Sequence, residues 1–153
     1  MTTTSTNYTG RTIDILMMSN ANFKDLVNID MSLNDPKITT GIQKAAQRFL
    51  SMLLTASTSS LMPTAGSTFI TRILQGTISN EEEAGLLFSQ SASNIITYLD
   101  NKTGTSVPRD ERIASATLEN ISITGDTLSI EVTLTSLAGT GLTLFIPVKA
   151  VIK

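Results

Sequence analysis

The clearest pattern of hydrophobic and polar positions lies between residues 40 and 55. Lys44 and Gln47 fall on the polar side of this segment, and Thr39 or Thr40 can cap its start. The apolar side chains recur at the three- and four-residue spacing of one helix face: Ile42, Ala45, Ala46, Phe49, Leu50, Leu53 and Leu54. The pattern predicts an amphipathic helix of about four turns with one buried face.

Two further helices are predicted after a loop that contains Pro63. The first covers residues 67–75, and Gly76 follows at the position where a left-handed residue commonly ends a helix. The second covers residues 80–99. Three glutamates, residues 81–83, lie in its first turn, where the positive end of the helix dipole favours carboxylates. The residues from 100 to 107 are predicted to form a loop.

The hydrophobic period then changes from 3.6 to 2, which is typical of β-strands. Residues 121–134 alternate around the pair Gly125-Asp126, and a two-residue loop with glycine first fits a type II′ hairpin. Pairing outward from this loop sets Ile123 opposite Leu128. Further out, the same register places a glutamate opposite a valine, so we expect a β-bulge near residues 118–120.

The last predicted strand, residues 142–152, is apolar on both faces. Such a strand is normally covered on both faces, but Pro147 cannot donate a ladder hydrogen bond and therefore indicates an edge position. An apolar edge strand is an aggregation hazard unless another chain docks on it. The strand is thus predicted to bind a partner through six residues: Leu142, Leu144, Phe145, Ile146, Val148 and Val151.

These elements predict an α+β fold in which about three N-terminal helices pack on a C-terminal, mainly antiparallel β-meander. Residues 1–12 are rich in threonine and are predicted to form a flexible arm, and residues 13–153 to form a single domain. Short strands are expected at residues 13–16 and 25–29.

The amino-acid composition excludes several kinds of active site. The chain has no His, Cys or Trp, which excludes histidine-based triads, thiol chemistry and the usual zinc sites, so neither a cofactor nor a metal is expected. A net charge of −2 lacks the basic footprint of a nucleic-acid binder, and no apolar run is long enough for a membrane helix. Only 16% of the residues are charged, against about a quarter in typical domains, which favours a protein packed against neighbours over a free enzyme.

Carboxylates are the only groups left for acid–base catalysis. Glutamates 81–83 are explained by the helix dipole, and Asp110, Glu111 and Arg112 are most simply a solvated loop with a local ion pair. Two alternatives stay open beside a structural role. One is a cell-wall glycosidase that uses Glu111 with a second carboxylate, and the other is an adapter that self-associates through the edge strand.

The order of sequence landmarks resembles that of the sheath-initiator family of contractile phage tails, also called the inner baseplate wedge subunit. The resemblance covers residues 25–153. The landmarks are a short strand pair, a helix that ends in Leu-Leu-Thr, a tight loop, an Arg-Ile motif and a closing β-meander. In this chain they are Asp25-Leu26 with Asp30, residues 42–55, Met62-Pro63 with Gly66-Ser67, Asp110-Glu111-Arg112-Ile113, and the strands from residue 116 onward.

The resemblance implies a structural protein of the virion baseplate, made in the host cytoplasm, without catalysis and without a cofactor. It implies that the closing sheet recruits the first ring of tail sheath protein by strand addition. It also implies that the loop of Asp110, Glu111, Arg112 and Ile113 contacts the baseplate wedge proteins, with Arg112 forming a buried contact. The tail tube is a further candidate partner, and several copies are expected around the tail axis.

Overall fold

The structure, a computed structural model, describes residues 10–15, 38–57 and 67–149. The predicted strand at 25–29, residues 1–9 of the predicted arm, and Val151 lie outside the described residues. The α+β class is confirmed. The elements in chain order are β1 (Asp14–Ile15), β2 (Ile38–Thr39), α1 (Gly41–Leu53), α2 (Thr68–Leu74), α3 (Glu81–Thr103), 3₁₀ turns at Gly104–Ser106 and Arg109–Glu111, β3 (Ile113–Thr124), β4 (Thr127–Ser136) and β5 (Gly141–Lys149).

Helix α1 carries the predicted apolar stripe into the core, where Phe49 and Leu53 are fully buried. Thr40 takes the N-cap position, although its side chain makes no capping hydrogen bond. The assignment of Lys44 and Gln47 to an exposed side is wrong, because both are buried. Lys44 Nζ lies 3.5 Å from Glu111 Oε2 in the turn before β3, and Gln47 Nε2 donates to the carbonyl oxygen of Ile15 at 2.9 Å.

Helices α2 and α3 begin at side-chain caps. Ser67 Oγ accepts from the Ile70 N–H at 3.4 Å, and Asn80 Oδ1 accepts from the Glu83 N–H at 2.8 Å. After α2, Gly76 adopts the predicted left-handed conformation with φ of +62°. Helix α3 continues to Thr103, so the prediction of a loop from residue 100 is wrong: one more polar turn extends the helix.

The C-terminal sheet has the strand order β3-β4-β5, and both pairs are antiparallel. The predicted hairpin register is confirmed, with Ile123 opposite Leu128, and Gly125 at the turn has φ of +62°. The predicted bulge is confirmed where the register shifts between Leu118 and Asn120. A second irregularity between Ile113 and Ser115 was not predicted.

The core lies between the helices and one face of this sheet. Alternate residues of β4, from Leu128 to Leu134, are at most 1% exposed. On the helical side, the rings of Phe69 and Phe88 meet edge to face, with centroids 5.8 Å apart and planes at 87°. The opposite face of the sheet carries mainly hydroxyl side chains. No helix among the described residues has the length and hydrophobicity to cross a membrane.

Candidate protein-interaction site

The outer side of β5 is the open edge of the C-terminal sheet. Over residues 10–15, 38–57 and 67–149, β5 pairs with β4 alone. Its edge position, predicted from Pro147, is therefore confirmed for the described part of the chain. No described strand bonds to the main-chain groups along this side, which can therefore accept another strand.

One hydrogen bond at the β4–β5 turn determines which main-chain groups point outward. The Ser136 N–H donates to the Thr140 carbonyl oxygen at 2.9 Å. Bonding in an antiparallel pair alternates along the strand, so even-numbered residues of β5 bond to β4. The odd-numbered residues, including Thr143 and Phe145, turn their N–H and C=O groups toward the open edge. Pro147 is one of these residues and offers only a carbonyl oxygen.

The side chains of the outward-facing residues lie on the hydroxyl-rich face of the sheet. Thr143 stands opposite Thr133, and their hydroxyl oxygens are 3.1 Å apart. Phe145 stands opposite Glu131 and is only partly buried. An added strand would therefore place its own alternate side chains beside a threonine and an aromatic ring.

The opposite edge of the sheet is obstructed. Glu81, in the first turn of α3, accepts a hydrogen bond from the Ile123 N–H at 3.0 Å, which occupies an outward donor of β3. Helix α3 also packs along the same strand. The two register irregularities also bend β3. Strand addition is therefore favoured at β5 rather than at β3.

The predicted partner-binding residues of β5 differ in how far their side chains are buried. The side chains of Leu144, Ile146 and Val148 are buried against the helices of their own chain. Leu142 is partly buried against the same core. Of the six predicted residues, Phe145 alone combines an outward main chain with a partly exposed side chain in the described region. The buried side chains contact their own core, and a role of these residues in partner binding stays a prediction.

The Arg-Ile loop, residues 110–113, is held by contacts within the chain. Asp110 Oδ2 pairs with Arg11 Nη1 at 2.7 Å. Arg112 pairs with Asp100 at the end of α3, with Nη2 2.5 Å from Oδ1. Ile113 is buried in the core. In this chain Arg112 therefore makes a half-shielded internal ion pair, and its contact with a wedge protein stays a prediction.

Glu111 is not part of a solvated loop with a local ion pair, and that interpretation is wrong. Its side chain is 1% exposed and lies 3.5 Å from Lys44 Nζ, whose side chain is 3% exposed. Thr12 lies between the two groups. The Lys44 ammonium donates to the Thr12 hydroxyl, the hydroxyl donates to Glu111 Oε2, and the Thr12 N–H donates to Oε1 at 3.1 Å. The cluster joins the N-terminal segment, α1 and the loop.

Arg11 and Thr12, the last two residues of the predicted flexible arm, are thus bound to the domain. Thr12 faces the domain, whereas the side chains of Ile13 and Ile15 remain 57% and 54% exposed. Sequence reasoning missed this arrangement. The pairing of Lys44 with Glu111 spans 67 positions, and no local pattern reports a contact over such a separation.

The described residues contain no group of three or more potential metal ligands, and Glu111 is enclosed by its own chain. Comparisons of the chain with protein-family models, curated proteins and solved structures give no match. Among the described residues, no strand pairs with the outer side of β5, so its outward N–H and C=O groups can bond to a strand from another chain.

Proposed function

We propose that this chain is a structural baseplate component of a contractile phage tail, which joins the baseplate wedges to the first sheath ring and nucleates sheath assembly. The observation that carries the proposal is the open edge of β5 on a sheet whose other edge is obstructed. The order of the sequence landmarks, which resembles that of sheath initiators, supplies the identity of the partner.

Strand addition suits the chemistry of this edge. Main-chain hydrogen bonds supply affinity in such complexes, and alternate side chains supply specificity. The N–H groups of Thr143 and Phe145 point outward, so each can bond to one residue of a sheath strand. Because Leu144 and Ile146 are already buried, the sheath strand adds to a finished domain.

Fewer observations support the proposed contact with the wedge proteins. Asp110 and Arg112 keep 25% and 18% of their side-chain area exposed, so a wedge protein can reach them. Glu111 and Ile113 are buried and support the loop from within. The low charge of the chain agrees with a surface that is largely interface. The proposed partners are the tail sheath, the wedge proteins and the tail tube, around which several copies are arranged; nucleic acid and membrane are not among them.

Thr143→Pro tests the proposal with little change to the domain itself. The substitution removes one outward N–H and the hydroxyl that bonds to Thr133, but no main-chain bond to β4. Pro147 already occupies an equivalent position in the same strand. We expect a folded variant that loses at least tenfold in co-sedimentation with sheath and wedge proteins from the same particle.

Thr143→Val is the matched control. It removes the hydroxyl that lies near Thr133 but keeps the N–H, so we expect it to recruit sheath protein as the native chain does. Normal sheath assembly on the folded Thr143→Pro variant would refute strand addition at this edge. Equal loss of recruitment in both variants would also refute it, because the side chain and not the main chain would then be responsible.

A further inference from the structure

Pro147 interrupts the row of outward main-chain donors on β5. Gly141, Thr143, Phe145 and Lys149 each present an N–H group to the open edge, whereas Pro147 presents none. Pro147 costs the domain no ladder bond, because it stands opposite Ser129 in a non-hydrogen-bonded pair. The missing donor therefore affects only a strand that arrives from outside.

We propose that Pro147 determines which strands can add to β5. It admits a short strand of about five residues from a different polypeptide, paired with residues 141–145, and it disfavours the longer pairing, through residue 147, with β5 of a second copy. This inference rests on the proposed function and deepens it, since it specifies the length of the partner strand and the pairing between copies that Pro147 weakens.

The difference follows from counting donors. A foreign strand that ends opposite Phe145 meets a complete set of outward N–H and C=O groups. Two β5 strands that pair antiparallel through residue 147 contain two prolines, and each proline leaves one carbonyl oxygen of the other copy without its donor. Self-pairing in such a register therefore loses two hydrogen bonds, and the short foreign strand loses none.

Pro147→Thr restores the donor, and its effect can be measured on the full chain alone by sedimentation equilibrium. Each restored hydrogen bond corresponds to about a five- to sixfold change in an equilibrium constant. We therefore expect self-association about 30-fold tighter than that of the native chain. Circular dichroism checks that the variant is folded.

The double variant Pro147→Thr with Thr143→Pro is the control, because it returns the number of outward donors to that of the native chain. We expect its self-association to fall back to the native level. Native-level association of Pro147→Thr would overturn the inference, and so would persistent tight association of the double variant.

Binding to the sheath protein tests the strand length. If the sheath strand pairs only with residues 141–145, Pro147→Thr binds it within about twofold of the native chain. A fivefold gain in affinity would overturn the proposed limit, since one added bond would then have been used. If the native chain binds no sheath protein, the proposed function fails, while the self-association comparison still decides the role of Pro147.

Discussion

Replacing Glu111 by glutamine removes the negative member of a buried ion pair and leaves the Lys44 ammonium in the interior. Both side chains are at most 3% exposed, so water cannot solvate the charge that remains. Breaking one partner of a buried pair typically costs about 3–5 kcal/mol. Since domains are stable by about 5–15 kcal/mol, Glu111→Gln should remove a large part of the free energy of unfolding.

The measurement is equilibrium unfolding in urea followed by circular dichroism, with the slope m compared between variants. Lys44→Met should be destabilising for the converse reason. The double variant Lys44→Met with Glu111→Leu removes both charges, and we expect it to cost at least about 2 kcal/mol less than the sum of the single variants.

Asp110→Asn is the matched control one residue away. Its partner, Arg11, is 40% exposed, and exposed ion pairs contribute at most about 1 kcal/mol. The reasoning would be refuted if Glu111→Gln cost no more than this control. It would also be refuted if the costs of the two single variants simply added in the double variant. In the expected case, amide hydrogen exchange at Thr12 should accelerate in Glu111→Gln, because Thr12 bonds to that carboxylate.

The remaining predictions concern α3 and the segment before it. Gly85→Ala should stabilise the chain by about 0.5–1 kcal/mol in urea unfolding, since the site is helical and a Cβ there meets only an ordinary contact. A loss of stability would contradict this prediction. Gly76→Ala should be destabilising, because the φ angle of Gly76 is +62°. The backbone N–H of Ser79, and then Arg72, lower the pKa of Glu83. The contribution of Glu83 to stability is therefore present above its unfolded-state pKa and is lost as the pH falls through its folded-state pKa. The melting temperatures of the native chain and of Glu83→Gln should thus converge in acid. A difference in melting temperature that stays constant from neutral to acid pH would contradict this prediction.

Local sequence patterns predicted the parts of the fold that neighbouring residues determine. The Gly125-Asp126 loop, with alternation on both sides, is sufficient to specify the register of β3 and β4, including the bulge after Leu118. The apolar stripe of α1 and the glycine after α2 similarly follow from contacts within one or two turns. Helix α3 was predicted to end too early because its last turn, from Asp100, carries no apolar residue to extend the pattern.

The contacts that sequence reasoning missed join distant segments. Strand β2 has two residues, too few for an alternation to be recognised, and its pairing with β1 spans the residues between Ile15 and Ile38. Lys44 was assigned to the polar side because its charge favours water, yet Glu111 and Thr12 neutralise and bond it in the interior. Only three-dimensional proximity indicates that a charged residue on a helix will be buried.

The burial of Leu144 and Ile146 by the chain's own helices has a kinetic consequence. A strand that joins β5 does not have to displace any of the described core residues, so attachment does not require that part of the core to unfold. The rate is then governed by encounter and alignment, about 10⁵–10⁷ M⁻¹s⁻¹ for ordinary protein pairs. If the chain nucleates sheath assembly as proposed, it is ready to do so at once, and the timing of polymerisation depends on the supply of incoming subunits.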